Sequence, residues 1–290
     1  MSRRSRVVST GKNAAWVVLD DEHVPRVATL RRQAGKRFMP VPGDVAFVTV
    51  LEDESAVIDR LEPRAFELHR RTFEGRSKVM AANVDAMATV TALADPPPRT
   101  VVLDQLLAFA QLEGLDAVPI FTKADLVPAA ERDSLPGLYA SLGYRTITCD
   151  PKHRDHMDEV RSALEGRRTL LCGVSGVGKS SIFTALGGEA VIGAVSRRGI
   201  GRQTTSAARL YRLPGGFLID SPGVAEFGLG PITARELVPG FREMAERAQR
   251  CRFSDCTHLH EPDCAVRDAV DQGKIALSRY ASYRRILGAT

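Results

Sequence analysis

Residues 173–180 read G-V-S-G-V-G-K-S, which satisfies the pattern G-x-x-x-x-G-K-[ST] at every fixed position. Glycines at those places let the backbone curl until successive N–H groups point at phosphate oxygens, and the helix that follows adds a favourable dipole. In this pattern Lys179 reaches the β and γ phosphates of a nucleotide, and the Ser180 hydroxyl binds Mg²⁺. The loop follows an apolar run, "RTLLC", and opens a helical one, "SSIFTAL". Gly173, Val174, Ser175, Gly176, Val177, Gly178, Lys179, Ser180 and Ser181 are therefore the candidate phosphate site. About forty residues on, "FLIDSPG" ends an apolar run at Asp220, where a carboxylate can serve the same Mg²⁺ and Gly223 can offer its N–H to a γ phosphate.

The base is read from "T-K-A-D" at 122–125. A carboxylate at Asp125 accepts from both the ring N–H and the exocyclic amine of guanine, a donor pair that adenine lacks on that edge. A carboxylate left there without donors is costly, so GTP is favoured over ATP. Lys123 would lie along the base. Thr122 stands where GTP-binding proteins usually carry asparagine, and it can keep only part of that side-chain bonding. Between the phosphate loop and Asp220 lies "AVSRRGIGRQTTSAARLYRL". One threonine here should close over the γ phosphate and Mg²⁺, Thr205 first and Thr204 second. Residues 190–219 hold five arginines and no acid, so this switch is basic, either as a solvated loop or as one that docks on RNA.

A third constellation lies near the end of the chain. Cys251-x₄-Cys256-x-His258-x₅-Cys264 offers three thiolates and an imidazole, the ligand set of a closed, structural Zn²⁺ site with no open position for water. His260 is the rival to His258. The alternative is buried thiols beside surface histidines. Of the other cysteines, Cys172 reads as a small core residue and Cys149 has no assigned role.

Elements must hold these residues in place. Hydrophobic residues make up 44% and charged residues 26% of the 290, a soluble and globular balance with no apolar run long enough to span a membrane. The N-terminus has no apolar signal core, so a cytoplasmic location is expected. Residues 1–50 carry nine Lys or Arg against four Asp or Glu, which accounts for the whole net charge of +5. That asymmetry reads either as a polyanion-binding surface or as a solvated basic tail. Over residues 1–70 short alternating runs, "RVATL", "DVAFVTV" and "AVIDRLEP", predict a small all-β barrel or sandwich. From about residue 80, apolar strands alternate with helical stretches such as "TVVLDQLLAFAQLEG", which predicts a mostly parallel sheet covered on both faces. "DPPPRT" at 95–100 reads as a strand-to-helix loop. Beyond residue 230 the chain becomes helical and polar. The expected domains are 1–70, 71–230 and 231–290.

The motifs run base reader, phosphate loop, switch, then D-S-P-G. Ordinary guanine-nucleotide switches place the base reader after the rest, so this order is a circular permutation that leaves the site intact in space. At this point the sequence resembles the ribosome small-subunit-dependent GTPase A family (RsgA, also called YjeQ), through "IDRLEPRAFELHRR", "AANVDAM", "GVSGVGKSS", "DSPGVAEFGL", "CRFSDCTHLHEPDCAV" and "SRYASYRRIL". The resemblance implies an N-terminal OB-fold barrel, a circularly permuted P-loop GTPase domain of α/β class and a C-terminal helical zinc-binding domain. It implies GTP as substrate with Mg²⁺ and one structural Zn²⁺, and late maturation of the small (30S) ribosomal subunit with hydrolysis stimulated by that subunit. The family pattern favours His258 over His260. After the D-S-P-G glycine stands Val224, which cannot orient water. Many members carry a histidine just before the switch threonines, and Gln203 takes that position here, so Gln203, Thr205 and Lys179 are the candidate catalytic residues. Residues 148–154 lack the family's S-x-K-x-G-like stretch. The expected partner is the small subunit and its rRNA, held through Arg3, Arg4, Arg6, Arg31, Arg32, Lys36 and Arg37, without DNA or membrane, by a monomer. Alternatives are a GTP-gated RNA-binding assembly factor with little catalysis, a permuted GTPase of the large subunit, and an ATP-dependent kinase.

Overall fold

The computed structural model describes residues 2–10, 14–22, 24–30, 39–71, 77–187, 209–220 and 229–288. Five strands, β1 (Arg3–Thr10), β2 (Ala15–Leu19), β3 (Pro25–Leu30), β4 (Val45–Val50) and β5 (Ala56–Leu61), close a barrel in the order β1-β2-β3-β5-β4. Neighbours are antiparallel except β3 and β5, which run parallel. This is the OB-fold. Strand alternation fills it: Val7, Val17, Leu19, Ala28, Ala46, Val48 and Ile58 form a small interior cluster.

One expectation is corrected here. Of the two readings of the basic N-terminus, a solvated tail fails for residues 3–10, which form β1. Arg3 pairs with Asp21 at 2.6 Å and Glu22 at 2.9 Å, and Arg4 pairs with Asp20 at 2.7 Å and Glu62 at 3.2 Å. Arg6 is turned toward the large sheet, with its guanidinium 4.6 Å from the centre of the Phe217 ring and a hydrogen bond of 3.2 Å to the Gly43 carbonyl. Arg31, Arg32, Lys36 and Arg37 lie outside the described residues.

A hairpin of β6 (Glu67–Arg71) and β7 (Ser77–Ala82) leads to a six-stranded sheet. Its strands are β8 (Ala86–Ala92), β9 (Asp116–Thr122), β10 (Ile147–Thr148), β11 (Arg168–Cys172), β12 (Arg209–Leu213) and β13 (Gly216–Asp220), in the order β10-β9-β8-β11-β13-β12. All neighbours are parallel except β12 and β13. A parallel sheet needs cover on both faces, and successive residues divide accordingly. Met87, Phe121, Leu170 and Ile219 enter one core, while Val90, Ile120, Leu171 and Leu218 enter the other. The second core is completed by α3 (Met157–Leu164) and α4 (Lys179–Ala185) through Val160, Leu164, Ile182 and Phe183.

The first face carries α1 (Thr100–Leu112) and α2 (Ser134–Ser141), and onto α1 packs the C-terminal part of the chain. That part comprises α5 (Ala234–Leu237), a 3-10 turn over Val238–Gly240, α6 (Arg242–Ala248), α7 (Ala265–Asp271) and α8 (Leu277–Ile286). Contacts fall along one stripe of α1, at positions four and three apart. Asp104 accepts from Arg279 of α8 and, at 2.6 Å, from the Tyr139 hydroxyl. A side chain on Gly240 would meet the Ala108 Cβ at 2.8 Å, so only glycine allows this approach. Arg242 donates to Gln111 Oε1 at 2.9 Å and stacks 4.1 Å above the Tyr144 ring.

Arg279 and Asp104 are each 1% exposed, and Glu243 completes the network with a 2.7 Å bond to Arg279. Burial pushes the Asp104 carboxyl upward, which the adjacent guanidinium opposes. Removing one member of such a pair strands the other in the interior, at a cost of about 3–5 kcal/mol. Arg279→Ala is therefore expected to lower the unfolding free energy by about that amount in urea titrations. Arg252→Ala breaks a pair in which both side chains are 65% exposed, and it should cost less than about 1 kcal/mol. Equal losses from the two variants would refute the importance assigned to the buried network.

Candidate nucleotide site and metal centre

Strands β9, β8, β11 and β13 all deliver their carboxyl ends to one edge of the sheet, the edge where open α/β sheets bind ligands. β11 leaves the sheet at Cys172, a buried residue of the first core as its sequence context implies. A Cβ on the next residue, Gly173, would stand 2.3 Å from the Val90 carbonyl oxygen, so a glycine is required for the chain to turn there. Gly176 and Gly178 hold positive φ angles of 83° and 95°, and Val177 between them is buried and anchors the turn. The Lys179 ammonium donates to the carbonyls of Gly173 and Val174 at 2.6 and 2.9 Å. Ser175, Gly176, Ser180 and Ser181 face solvent.

Base-side residues arrive from β9, two strands away. Thr122 is 1% exposed, and its hydroxyl donates to the Val177 carbonyl at 2.7 Å, tying the base-reading segment to the phosphate loop across the end of β8. This is the bonding a threonine retains where an asparagine is usual. Lys123 adopts a left-handed conformation with φ 59°, and its ammonium donates to the Asp95 carbonyl in the loop after β8. Asp125 follows in a 3-10 turn over Ala124–Leu126 with its side chain exposed. After β10, residues 150–155 form a closed turn: Asp150 Oδ1 accepts from the backbone N–H groups of Lys152 and His153 at 2.8 and 3.3 Å, and Asp150 and Asp155 pair through their backbones. Cys149, which leads into that turn, is buried in the second core, and burial pushes its thiol up to about 12.

Asp220 closes β13 in register with Leu171 of β11, so its backbone lies one strand from the phosphate loop. Gln203, Thr204, Thr205, Gly223 and Val224 lie outside the described residues.

Cys251, Cys256, His258 and Cys264 come together, with one ligand atom from each within 4.8 Å of all the others. A tetrahedral Zn²⁺ with three sulfurs and one nitrogen has edges of about 3.6 Å (S to N) and 3.8 Å (S to S). Here Cys251 Sγ to His258 Nδ1 is 3.5 Å, Cys264 Sγ to His258 Nδ1 is 3.4 Å and Cys251 Sγ to Cys264 Sγ is 3.9 Å, so the donor set fits that ion. His258 is 3% exposed, whereas His260 is exposed and outside the cluster. Burial pushes the Cys256 thiol up to about 12 and lowers the His258 imidazole below its usual value. A neutral imidazole suits ligation, and a dication is the partner that would offset thiolates in so dry a place.

Sequence reasoning missed the residues that hold this loop. Glu261 accepts from the backbone N–H groups of Thr257 at 2.8 Å, Leu259 at 3.1 Å and His260 at 3.3 Å and from the Thr257 hydroxyl; burial pushes its carboxyl up, but the hydroxyl and then the backbone bonds outweigh burial and hold it far below the usual range. Tyr280 and Tyr283 of α8 donate to the carbonyls of His258 and Thr257 at 2.7 and 3.0 Å. Their only signal is proximity in sequence for Glu261, and for the tyrosines a spacing of three on a helix.

Comparison with known proteins agrees with this geometry. The model of the RsgA GTPase family matches residues 61–230. A "Small ribosomal subunit biogenesis GTPase RsgA" from Saccharophagus degradans is 40% identical over 81% of this chain and 72% of its own length. A protein of the same name from Pseudomonas aeruginosa is 41% identical over 78% of this chain and 69% of its own. Among solved structures, YjeQ from Thermotoga maritima superposes with a TM-score of 0.74 at 29% identity, covering 99% of this chain and 98% of that one. YloQ, described as a circularly permuted GTPase, does so at 0.70 and 23% identity over 99% and 94%, which speaks for the fold alone. With its permuted sheet, its phosphate loop and its base-reading segment, this chain belongs to the RsgA family of circularly permuted GTPases.

Proposed function

We propose that this chain hydrolyses GTP on the small ribosomal subunit during that subunit's biogenesis, and that the subunit stimulates the reaction. The observation that carries the reading is the Thr122 bond to Val177, which sets a guanine-reading segment beside a phosphate loop in a chain whose relatives bear the name of small-subunit biogenesis GTPases. Residues 173–181 cradle the phosphates, Lys179 leaves its backbone carbonyls for the β and γ oxygens, and Asp125 receives the two guanine donors. Ser180, Asp220 and Thr205 hold Mg²⁺, which when bound neutralises charge on the β and γ phosphates. Gln203 is positioned in sequence to orient the attacking water. Cys251, Cys256, His258 and Cys264 hold one structural Zn²⁺.

Phosphoryl transfer asks for little covalent help, so the enzyme's work is to position water and neutralise charge. A protein that completes this arrangement only on rRNA is slow when free, and it works in the cytoplasm as a monomer. The ion-paired state of Arg3 and Arg4 shifts the expected rRNA phosphate contacts toward residues 31–37 and the basic switch.

Purified protein should hydrolyse GTP slowly alone, much faster with small subunits and no faster with large ones at fixed salt. Stimulation by large subunits instead would favour the alternative partner, and binding without turnover would favour a GTP-gated RNA-binding factor. Asp125→Asn exchanges an acceptor for an amide that both donates and accepts. It should weaken GTP roughly 100-fold or more and gain affinity for xanthosine triphosphate, read by competition with a fluorescent nucleotide. Glu261→Ala should lower Zn²⁺ affinity roughly 10- to 100-fold in chelator competition, since supporting groups of this kind carry that weight. Unchanged affinity would remove Glu261 from the metal site's support.

A further inference from the structure

The charge that spreads over the transferred phosphoryl group and the leaving oxygen must be stabilised, and in this chain the side chain after the D-S-P-G glycine is a valine with no hydrogen-bonding atom. A cation at the γ end of the phosphate loop, additional to Lys179, would answer that need. Among the described residues Arg99 is the one that stands there without an engagement of its own.

Arg99 is the exposed N-cap residue of α1, with φ −97° and ψ 78°, and the first turn of α1 contains no acid to hold it. No hydrogen bond or ion pair engages its guanidinium among the described residues. Arginines elsewhere around the sheet are occupied: Arg161 with the Leu186 carbonyl at 2.8 Å, Arg167 with Asp116, and Arg168 with Asp85 at 2.8 Å. The segment leading to Arg99 lies on the phosphate loop, since a Cβ on Gly176 would touch Pro96 Cδ at 3.6 Å and the Lys123 ammonium holds the Asp95 carbonyl. Arg99 stands at a small, partly enclosed pocket between α1 and the phosphate loop, with Pro97, Leu103, Leu106, Gly173, Val174 and Val177. Gly173 and Val174 are the residues whose carbonyls hold the Lys179 ammonium at 2.6 and 2.9 Å. Lys179 serves the β and γ phosphates, so this is the γ end of the loop, and Thr122 and Asp125 mark the base end.

We propose that Arg99 is a further catalytic residue of GTP hydrolysis, a guanidinium supplied in cis to the γ end of the phosphate loop. The proposal rests on the assignment of residues 173–181 as the nucleotide site. In the step it serves, a water oxygen bonds to Pγ while the bond from Pγ to the β–γ bridging oxygen breaks. The electron pair stays on the β phosphate of GDP, and the water's proton leaves with the inorganic phosphate. Arg99 remains protonated throughout, donating from its planar fork to the oxygens on which charge accumulates.

The test uses the full chain carrying Arg99→Met or Arg99→Lys. It measures single-turnover hydrolysis with small subunits, formation of the GDP–aluminium fluoride complex, GTP and GDP affinity, and melting temperature. Arginines of this role are worth about 10³–10⁵ in turnover, so Arg99→Met should slow hydrolysis roughly 100-fold or more and abolish the aluminium fluoride complex. Ground-state GTP and GDP affinities should stay within about threefold of wild type, as for an interaction made in the transition state. Arg99→Lys should retain part of the rate, having the charge without the fork. Hydrolysis by Arg99→Met within about threefold of wild type would overturn the proposal. So would a loss of rate accompanied by equal losses of GDP affinity and melting temperature, which would make Arg99 a support for the loop. A wild-type chain that binds no guanine nucleotide would overturn the nucleotide assignment and this proposal with it, a failure told apart because it needs no variant.

Discussion

The 2.7 Å hydrogen bond from Thr122 to the Val177 carbonyl joins two segments that the chain presents in reversed order. It spans the end of β8, which intervenes between β9 and β11, and so fixes the distance between the base-reading turn and the phosphate loop. Both partners are buried, Thr122 at 1% and Val177 at 2% exposure, and water does not compete for the bond. Circular permutation changes which peptide links cross the surface, but the strand order β9-β8-β11-β13 still brings both segments to one edge of the sheet. A nucleotide site is set by which strand ends share an edge, and the direction in which the chain visits them is free to vary.

The same reasoning explains what permutation does to the C-terminal segment. The chain after β13 returns across the first face of the sheet, where α1 offers Asp104, Ala108 and Gln111 on one stripe. Arg279, Gly240 and Arg242 meet them in turn, one by an ion pair, one by close backbone approach and one by a guanidinium hydrogen bond to a neutral amide. Cys256, Cys264, Val266 and Tyr283 belong to the same apolar cluster as Met87 and Leu107. A segment too short to bury a core of its own therefore borrows one from the GTPase sheet. The Cys/His cluster stands at the margin of this shared core, with Glu261 gathering the backbone N–H groups of Thr257, Leu259 and His260.

Local chemistry was legible in the sequence where its residues are close along the chain. The phosphate loop is eight consecutive residues, the base reader four, and the ligand cluster fourteen, and in each the spacing is itself the geometry. The parallel sheet was legible too, because apolar runs alternating with helical ones leave few other ways to cover two faces. Relations over long separations were not. Asp104 and Arg279 stand 175 residues apart, and neither a lone acid in an apolar helix nor an arginine in "SRYASYRRIL" says that the two meet. β1 was hidden because six of its eight residues, Arg3, Arg4, Ser5, Arg6, Ser9 and Thr10, are polar or charged and leave no apolar alternation to announce a strand. Arg99 lay within "DPPPRT", whose prolines announce a loop but not that the loop rests on Gly176.

The barrel adds a constraint at the other edge of the sheet. β12 is an edge strand, and an uncovered edge offers its backbone to any passing strand. Arg212 of β12 donates to the carbonyls of Leu19 and Asp20 at 2.8 and 3.0 Å, and Arg6 of β1 stacks on Phe217, which faces Arg212 in the register of β12 with β13. Burial lowers the affinity of Arg6 for its proton; the Asp20 carboxylate opposes this, and Arg4, Arg168 and Arg212 add to it. The Phe217 ring and the Gly43 carbonyl engage the guanidinium directly. β13 is thereby held between β11 on one side and a barrel-pinned β12 on the other. Asp220 at its end is therefore flanked in register by Leu171 of β11 and Arg209 of β12.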